Sequence, residues 1–263
     1  MPLNMDDFTR HLEAIGRCTE VVPLRQATMA ALALFGIACA YYIAPLTRDP
    51  RVGRVVTNWG LPWEWEMPYR ERLHRSDPLP NLAVERLSPV VWPDTVDFSR
   101  LTRKQATYME FAATFGLGRG VGVACFGPDG RSGYLGAILP EDAPPPSAGD
   151  LQRLQAVGQV SFQTYCRIVK LNEATPSLSN RELEVLHWMG RGKSNSVIAE
   201  LLGISPSSVD VYVRRIFAKF DVTDRTSATL RAYAQGLLVS ADYEQFVDRN
   251  RREEEAGKGD TGG

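Results

Sequence analysis

Cysteine is scarce in this chain, and the few cysteines follow no pattern that would bind a metal or form a disulfide framework. The 263 residues include four cysteines without any short paired spacing, at Cys18, Cys39, Cys125 and Cys166. Metal-binding and disulfide-stapled proteins both place cysteines at short, recognisable intervals. We therefore expect small buried thiols in a protein of the reducing cytoplasm, with no metal site.

Long apolar segments are equally rare, and the one run that could be considered for a membrane span lies between Ala27 and Leu46. A membrane-spanning helix needs roughly 18 or more apolar residues in succession. Gly36 divides this run, and its second half, IACAYYIA, has the aromatic and β-branched residues typical of a strand. We predict a core helix followed by a core strand, and no contact with a membrane. No basic segment precedes the run, so no signal peptide is expected.

An excess of charge is absent too, since the formal net charge is −1, but the charges are unevenly placed. Residues 176–240 hold eight basic and six acidic residues, whereas residues 241–263 hold four basic and seven acidic ones. A weakly basic segment suits a DNA-binding protein that gains affinity from a second copy, because phosphate neutralisation scales with the number of contacts. The acidic tail ends in NRREEEAGKGDTGG, a polar and glycine-rich composition that predicts disorder.

Common catalytic signatures are missing as well. The three histidines, His11, His74 and His187, show neither the spacing of a metal site nor that of a nucleophile with its base. The chain contains no G-x-x-x-x-G-K-S/T phosphate-binding loop. We therefore expect neither an enzyme nor a bound cofactor.

The helix and strand patterns that are present divide the chain into two domains. Helical patterns cover residues 6–36, 102–116 and 148–171, and strand patterns cover residues 37–44, 53–58, 119–126 and 133–139. Turn-forming residues at 47–50 and 127–130 join consecutive strands. Strands bounded by helices predict an α/β sandwich (α-β-α) over residues 1–171, followed by a linker at 172–178 that contains Thr175-Pro176-Ser177.

Residues 179–240 predict an all-α module of four helices with a helix-turn-helix. Ser179 and Glu182 form a capping box that starts the module. In SNSVIAELLGISPSSVDVYVRRIFAKFDV, two helices are joined at Leu202-Gly203-Ile204, and Ser205-Pro206 begins the second. This second helix would enter a DNA major groove. Its predicted core stripe is Val209, Val213, Ile216 and Phe220, and its predicted exposed face is Ser207, Asp210, Val211, Arg214 and Ala218.

The exposed face supplies candidates for reading DNA. Arg214 is suited either to a guanine edge or to a phosphate contact, and both readings stay open. Asp210 could accept from a cytosine amine, but pairing with Arg214 one helical turn later is the favoured interpretation. The other candidates for DNA contact are polar residues near helix starts or residues on the second helix: Lys193, Ser194, Asn195, Ser207, Ser208, Val211, Arg215, Lys219, Arg225 and Thr226.

The whole module closely resembles the LuxR/GerE-type helix-turn-helix of bacterial transcription regulators. Glu182, Leu186 and Gly192 fall at the characteristic spacing of that family, as do the SN-x-x-IA-x-LL-x-IS-x-x-(S/T)V run and the K-(F/L)-x-V end. The resemblance implies an operator of double-stranded DNA. Asp210 stands where lysine is frequent and Tyr212 where histidine is frequent, so no operator sequence is carried over.

The N-terminal half resembles the autoinducer-binding domain of LuxR-type quorum-sensing regulators over residues 8–170. The resemblance lies in VTNW, Trp65-x-x-x-Tyr69, HRSDPL and FGLGRGVGV, with Trp92 fifteen residues after Asp77 and Gly120 twenty-eight residues after Trp92. A phosphoryl-receiver domain is not indicated, because the acidic pair at residues 6–7 precedes any strand. The resemblance implies a transcriptional regulator that responds to an N-acyl-homoserine lactone. As a hypothesis about mechanism, the ligand would complete the core of this domain, and the helix at 148–171 would then form the surface of a homodimer.

The resemblance also implies a ligand site. Asp77 would accept from the ligand amide, and Trp63 or Trp65 would donate to the lactone carbonyl. These residue types suit the ligand, because a carboxylate accepts hydrogen bonds whereas indoles and phenols donate them and wall a pocket. The remaining wall residues would be Trp59, Tyr69 and Trp92.

Two departures keep an alternative open. Anchoring on VTNW selects Trp63 as the lactone donor, whereas anchoring on Tyr69 selects Trp65. Leu139 stands near the position where family members use serine or threonine against the ligand. A different small molecule, or DNA binding without ligand, therefore remains the alternative function.

Overall fold

The computed structural model describes four stretches of the chain, residues 4–45, 55–86, 88–170 and 177–238. Internal contacts divide the chain into two compact units, Met1–Asn172 and Glu173–Gly263. The turn predicted at 47–50, most of the predicted linker and the acidic tail lie outside the described residues.

The first unit is built on an antiparallel sheet of five strands in the order β2-β1-β5-β4-β3. The predicted β4–β5 hairpin is present, and Gly127 N–H closes it by donating to the Arg131 carbonyl at 2.8 Å. β3 was not predicted, because three residues buried on both faces show no alternation. The strands are β1 Cys39–Ala44, β2 Val55–Trp59, β3 Val90–Trp92, β4 Gly120–Phe126 and β5 Ser132–Ile138.

In the described part of this unit, six α-helices cover the two faces of the sheet, which confirms the predicted α-β-α sandwich. They are α1 Met5–Arg17, α2 Val21–Ala33, α3 Trp63–Glu71, α4 Leu79–Arg86, α5 Arg103–Ala113 and α6 Ala148–Lys170. Helices α1, α2 and α6 share one buried core with one side of the sheet, called here the α6 face. Helices α3, α4 and α5 share a second core with the other side, called the α3 face.

Two helix predictions are corrected. The helical pattern over residues 6–36 corresponds to two helices and not to one, since the backbone is extended at Cys18 and Glu20 between α1 and α2. Pro23 explains the break, because proline lacks an N–H and its ring would clash with the carbonyl four residues earlier in a continuous helix. Helices α3 and α4 lie outside the helical patterns that the sequence predicts.

The second unit contains the four helices that the sequence predicts: α7 Asn180–Gly190, α8 Asn195–Leu202, α9 Pro206–Phe220 and α10 Arg225–Ala234. Gly203, at φ 64°, ends α8 in the left-handed conformation that glycine adopts without strain. The predicted core stripe of α9 is buried. No single helix in the described stretches is long and apolar enough to cross a membrane, and α8 and α9, which pass such a test only together, are bent by 110°.

Gly158 allows α6 to approach the sheet, and this contact generates a stability prediction. A Cβ at Gly158 would lie 2.6 Å from Val123 Cγ2 and 3.1 Å from Cys125 Sγ. Alanine normally favours a helix over glycine by about 1 kcal/mol, but overpacking costs about 1–3 kcal/mol. We expect Gly158→Ala to lower the free energy of unfolding, measured by urea titration with tryptophan fluorescence.

Gly16→Ala in α1 is the matched control, since nothing lies within 4 Å of a Cβ at that position. It should leave the unfolding free energy unchanged or raise it slightly. Equal stability of the two variants would contradict the close packing of α6 on β4.

Candidate ligand site and DNA interface

Five buried aromatic side chains fill the space between α3 and the sheet. This aromatic cluster consists of Tyr41, Trp65, Tyr69, Tyr108 and Tyr134, each at most 2% exposed. Trp65 and Tyr69 stack with ring centroids 4.6 Å apart, and the Tyr41 ring lies 5.2 Å from Trp65 and 5.9 Å from Tyr134. The cluster therefore combines a large apolar surface with several hydroxyl and indole donors.

Asp77 places a carboxylate against this cluster. It is 4% exposed, accepts from the Tyr69 hydroxyl at 2.8 Å, and accepts from the Leu79 N–H at 3.0 Å. Burial first, and the charge of Asp77 second, raise the pKa of Tyr108 and of Tyr134 well above 10. Both phenols consequently stay protonated and remain hydrogen-bond donors at neutral pH.

Two buried donors of the cluster lack an acceptor of hydrogen-bond geometry among the described residues. These are Trp65 Nε1 and the Tyr134 hydroxyl. Each still has a phenol close by, because against the larger, raising effect of burial a looser hydrogen bond with Trp65 lowers the pKa of Tyr108 and one with Tyr41 lowers the pKa of Tyr134. A buried donor without a partner costs about 1–3 kcal/mol. A small molecule that carries carbonyl acceptors and an amide donor would complement this set of groups.

The structure places two of the sequence-predicted ligand residues, Trp63 and Trp59, away from the aromatic cluster. Trp63 is 68% exposed at the start of α3, so it does not line the cluster, whereas Trp65 is fully buried. Trp59 belongs to the α6 face and packs on Tyr42 at 5.0 Å, on the opposite side of the sheet from Asp77. Leu139 also belongs to the α6-face core. Strand side chains alternate between faces, so nearness in sequence does not decide which side a residue takes.

Trp92 lies on the α3 face, as the ligand prediction requires, but its polar atom is already used. The indole Nε1–H donates to the Leu117 carbonyl at 2.9 Å, and the side chain is 1% exposed. Trp92 is therefore a packing residue of the α3-face core, and its N–H is bound to the protein backbone.

Sequence reasoning missed Tyr41, Tyr108 and Tyr134. Two of these tyrosines could have been found from glycines on the neighbouring strands. A Cβ at Gly136 would overlap the Tyr41 ring, and a Cβ at Gly122 would overlap the Tyr134 hydroxyl. Glycine inside a strand often marks such a close approach.

In the second unit, the predicted reading face of α9 is exposed. Ser207, Asp210, Val211, Arg214 and Ala218 are all exposed, and Val211 is 40% exposed. Lys193, Arg214 and Arg215 are exposed and have no ion pair among the described residues, so their charges are available to phosphate. Thr226 is exposed at the start of α10.

The predicted side-chain pair between Asp210 and Arg214 was wrong. Asp210 Oδ1 accepts instead from Asn195 Nδ2 at 2.6 Å, and Arg214 Nε lies 3.4 Å from the Asp210 backbone carbonyl. Asn195 Oδ1 accepts from Arg225 at 2.8 Å, and Arg225 also donates to the Lys193 carbonyl. Asn195 thus joins the start of α8 to Asp210 on α9 and to Arg225 on α10. These three polar side chains bond to one another within the protein.

Lys219 was predicted to contact DNA, but the structure gives it an internal role. Its ammonium group donates to Glu182 Oε2 at 2.6 Å and to the Ser177 carbonyl at 2.8 Å. Burial raises the pKa of Glu182, but the bonds from Lys219 and Ser179 outweigh it, and the pKa lies below its ordinary 4.5. The ion pair therefore persists at neutral pH and ties α9 to α7.

The serines among the DNA candidates make local bonds. Ser194 caps α8 by accepting from Val197 N–H, and Ser207 and Ser208 each lie within 3 Å of the Ser205 hydroxyl. These bonds fix the first turns of α8 and α9.

Comparison with protein families identifies the class to which this arrangement belongs. A model described as "Autoinducer binding domain" matches residues 23–165, and one described as "Bacterial regulatory proteins, luxR family" matches residues 176–232. The first match alone covers more than half of the chain. The chain therefore belongs to the LuxR family, as the sequence resemblance indicated, and it is a ligand-responsive DNA-binding regulator.

Individual relatives agree with this assignment. Transcriptional activator protein AhyR of Aeromonas hydrophila is 28% identical over 200 residues, which are 72% of this chain and 75% of that protein. The HTH-type quorum sensing-dependent transcriptional regulator RpaR of Rhodopseudomonas palustris is 28% identical over 207 residues, 76% of this chain and 82% of that protein. SdiA of Escherichia coli shares the fold, with a TM-score of 0.67 at 22% identity over 89% of this chain and 99% of that chain.

The pairing of Tyr69 with Asp77 generates a prediction about the stability of the first unit. Tyr69→Phe removes a hydrogen bond to a carboxylate, and such bonds contribute about 1.5–3 kcal/mol. We expect the unfolding free energy to fall by that amount in urea titrations followed by tryptophan fluorescence.

Tyr134→Phe is the comparison variant, since its hydroxyl has no partner of good geometry within the described residues. It should unfold at the same urea concentration as the wild type or at a slightly higher one. If Tyr134→Phe were the more damaging of the two, the Asp77 assignment would be wrong.

Proposed function

We propose that the protein binds an N-acyl-homoserine lactone at the aromatic cluster and that this ligand controls operator binding by a cytoplasmic homodimer in quorum sensing. The observation that carries this proposal is one buried carboxylate beside two buried donors, Trp65 Nε1 and the Tyr134 hydroxyl, that have no acceptor of good hydrogen-bond geometry among the described residues. Residues 1–171 would form the sensing domain, residues 172–178 the linker, and residues 179–240 the DNA-binding domain.

The chemistry of the cluster suits the polar head of such a ligand. Asp77 accepts from the ligand amide N–H, Trp65 donates to the lactone carbonyl, and Tyr134 donates to the acyl carbonyl. Tyr69 holds the Asp77 carboxylate in place through its 2.8 Å bond. Each ligand atom would then satisfy a protein group that is otherwise costly to bury.

The same cluster favours a short or planar acyl group. The Tyr41 and Tyr134 rings lie against strand backbone at Gly136 and Gly122, so neither ring can retreat towards the sheet. A long flexible chain would have to displace these buried side chains. Tyr41 and Tyr134 would therefore limit the size of the ligand.

A second candidate is a regulator that answers a different small molecule or binds DNA without one. The direct contact of the aromatic rings with one another favours this second candidate. The first unit already completes its core with its own side chains, so a lactone is not needed to fill it. SdiA, which shares the fold, is solved in complex with octanoyl-rac-glycerol. Comparing melting temperature and DNA affinity with each ligand class and with none separates the two candidates.

The two neighbouring tryptophans of α3 test the ligand site. Trp65→Phe removes an indole donor that contributes roughly 0.5–1.5 kcal/mol, so the affinity for a short-chain acyl-homoserine lactone should fall roughly 2- to 10-fold. Trp63→Phe, at an exposed position, should bind as the wild type does. Calorimetric titration measures both, and equal affinities would refute the assignment of Trp65.

The DNA interface is tested at Arg214. Arg214→Ala removes an exposed charge from the reading face, and one base contact is worth about 1–3 kcal/mol, which is roughly 5- to 150-fold in affinity. Arg181→Ala, an exposed arginine on α7 that pairs with Glu184, is the control and should change little. Gel-shift titration with operator DNA measures both, and ligand affinity should be unaffected in either. A matching loss in the two variants would argue against a specific role for Arg214.

A further inference from the structure

A second cavity lies on the α6 face, across the sheet from Asp77. Its volume is about 430 Å³, and it opens between the start of α2, strands β1 and β2, and α6. The walls include Val22, Tyr42, Trp59, Phe162 and Tyr165. This volume falls within the range of known small-molecule sites, which is about 300–1,000 Å³.

The polar groups along this cavity include the Trp59 indole, the Arg25 guanidinium and the hydroxyls of Tyr42, Thr57 and Ser161, all of which can donate a hydrogen bond. Trp59 is 7% exposed, and its indole Nε1–H is buried without a hydrogen-bond partner among the described residues. Tyr42 and Ser161 already have protein partners, at the Gly158 carbonyl and at Thr28. No carboxylate belongs to the described lining, so a ligand here must supply the acceptors.

Arg25 gives the cavity its charge. It is exposed, lines the cavity, and has no ion pair or hydrogen bond among the described residues. An apolar chamber with a guanidinium at its edge that has no ion pair among the described residues is complementary to an amphiphile with an anionic head, because guanidinium binds carboxylate in a bidentate way.

We propose that this cavity binds the carboxylate form of a medium-chain fatty acid. The alkyl chain would lie along Tyr42, Trp59 and Phe162, and the carboxylate would bind Arg25, with the Trp59 indole as a further donor. The site is distinct from the aromatic cluster because the sheet separates them. It is therefore independent of the lactone proposal.

Decanoate is the probe, titrated calorimetrically into the full chain. We expect one molecule to bind per chain, Arg25→Gln to weaken binding at least tenfold, and methyl decanoate to bind at least tenfold more weakly than decanoate. Arg17→Gln, at an exposed arginine of α1 that pairs with Glu13, is the matched control and should bind as the wild type does. Ala44→Phe, which adds a ring to the cavity wall, should abolish binding.

Several results would overturn the proposal. Equal binding of decanoate by Arg25→Gln and the wild type would exclude the carboxylate site, as would equal binding of the methyl ester. Loss of decanoate binding in Trp65→Phe, with Ala44→Phe unaffected, would place the fatty acid in the aromatic cluster instead. A change of oligomeric state in Arg25→Gln, without decanoate binding by the wild type, would make this face an interface between copies of the chain.

Discussion

The hydrogen bond from Tyr69 to Asp77 is the contact on which the sensing unit depends. A buried carboxylate is tolerated only when its oxygens are hydrogen-bonded, because transfer of an unpaired charge out of water is costly. Tyr69 and the Leu79 N–H satisfy both oxygens, so the end of α3 is joined to the start of α4. With the end of α3 held in this way, Trp65 packs against Tyr41. The same contacts therefore position the Asp77 carboxylate and the aromatic rings around it.

The pleat of the sheet creates two chemically different chambers. Tyr41 and Tyr42 are adjacent on β1, yet Tyr41 enters the aromatic cluster whereas Tyr42 lines the cavity on the α6 face. One chamber contains a carboxylate with donors around it, whereas the described lining of the other contains hydroxyls, an indole and the Arg25 guanidinium but no carboxylate. The first is suited to a neutral ligand with both amide and carbonyl groups, and the second to an anion.

In the DNA-binding unit, the residues that hold the helices in place are distinct from those free to bind DNA. Asn195 and Lys219 use their polar groups inside the protein, since Asn195 bridges Asp210 and Arg225 and Lys219 pairs with Glu182. Arg214 and Arg215 remain exposed on α9. Sequence reasoning could not separate the two groups, because the partners lie 15 to 37 residues apart in the chain.

What the sequence determined by itself is the local architecture. Ser205 and Pro206 start α9, Gly203 ends α8, and the spacing of the apolar residues fixes which side of α9 is buried, because caps and helical periodicity act within a few residues. The two family resemblances likewise follow from motifs that are short and contiguous. Only the tertiary structure decided that Trp65 stacks on Tyr69, the partner of Asp77, while Trp59 takes the opposite face of the sheet. That choice depends on strand register, where a shift of one residue moves a side chain to the other face, and on the start of α3, where the same shift turns it by about 100° around the helix.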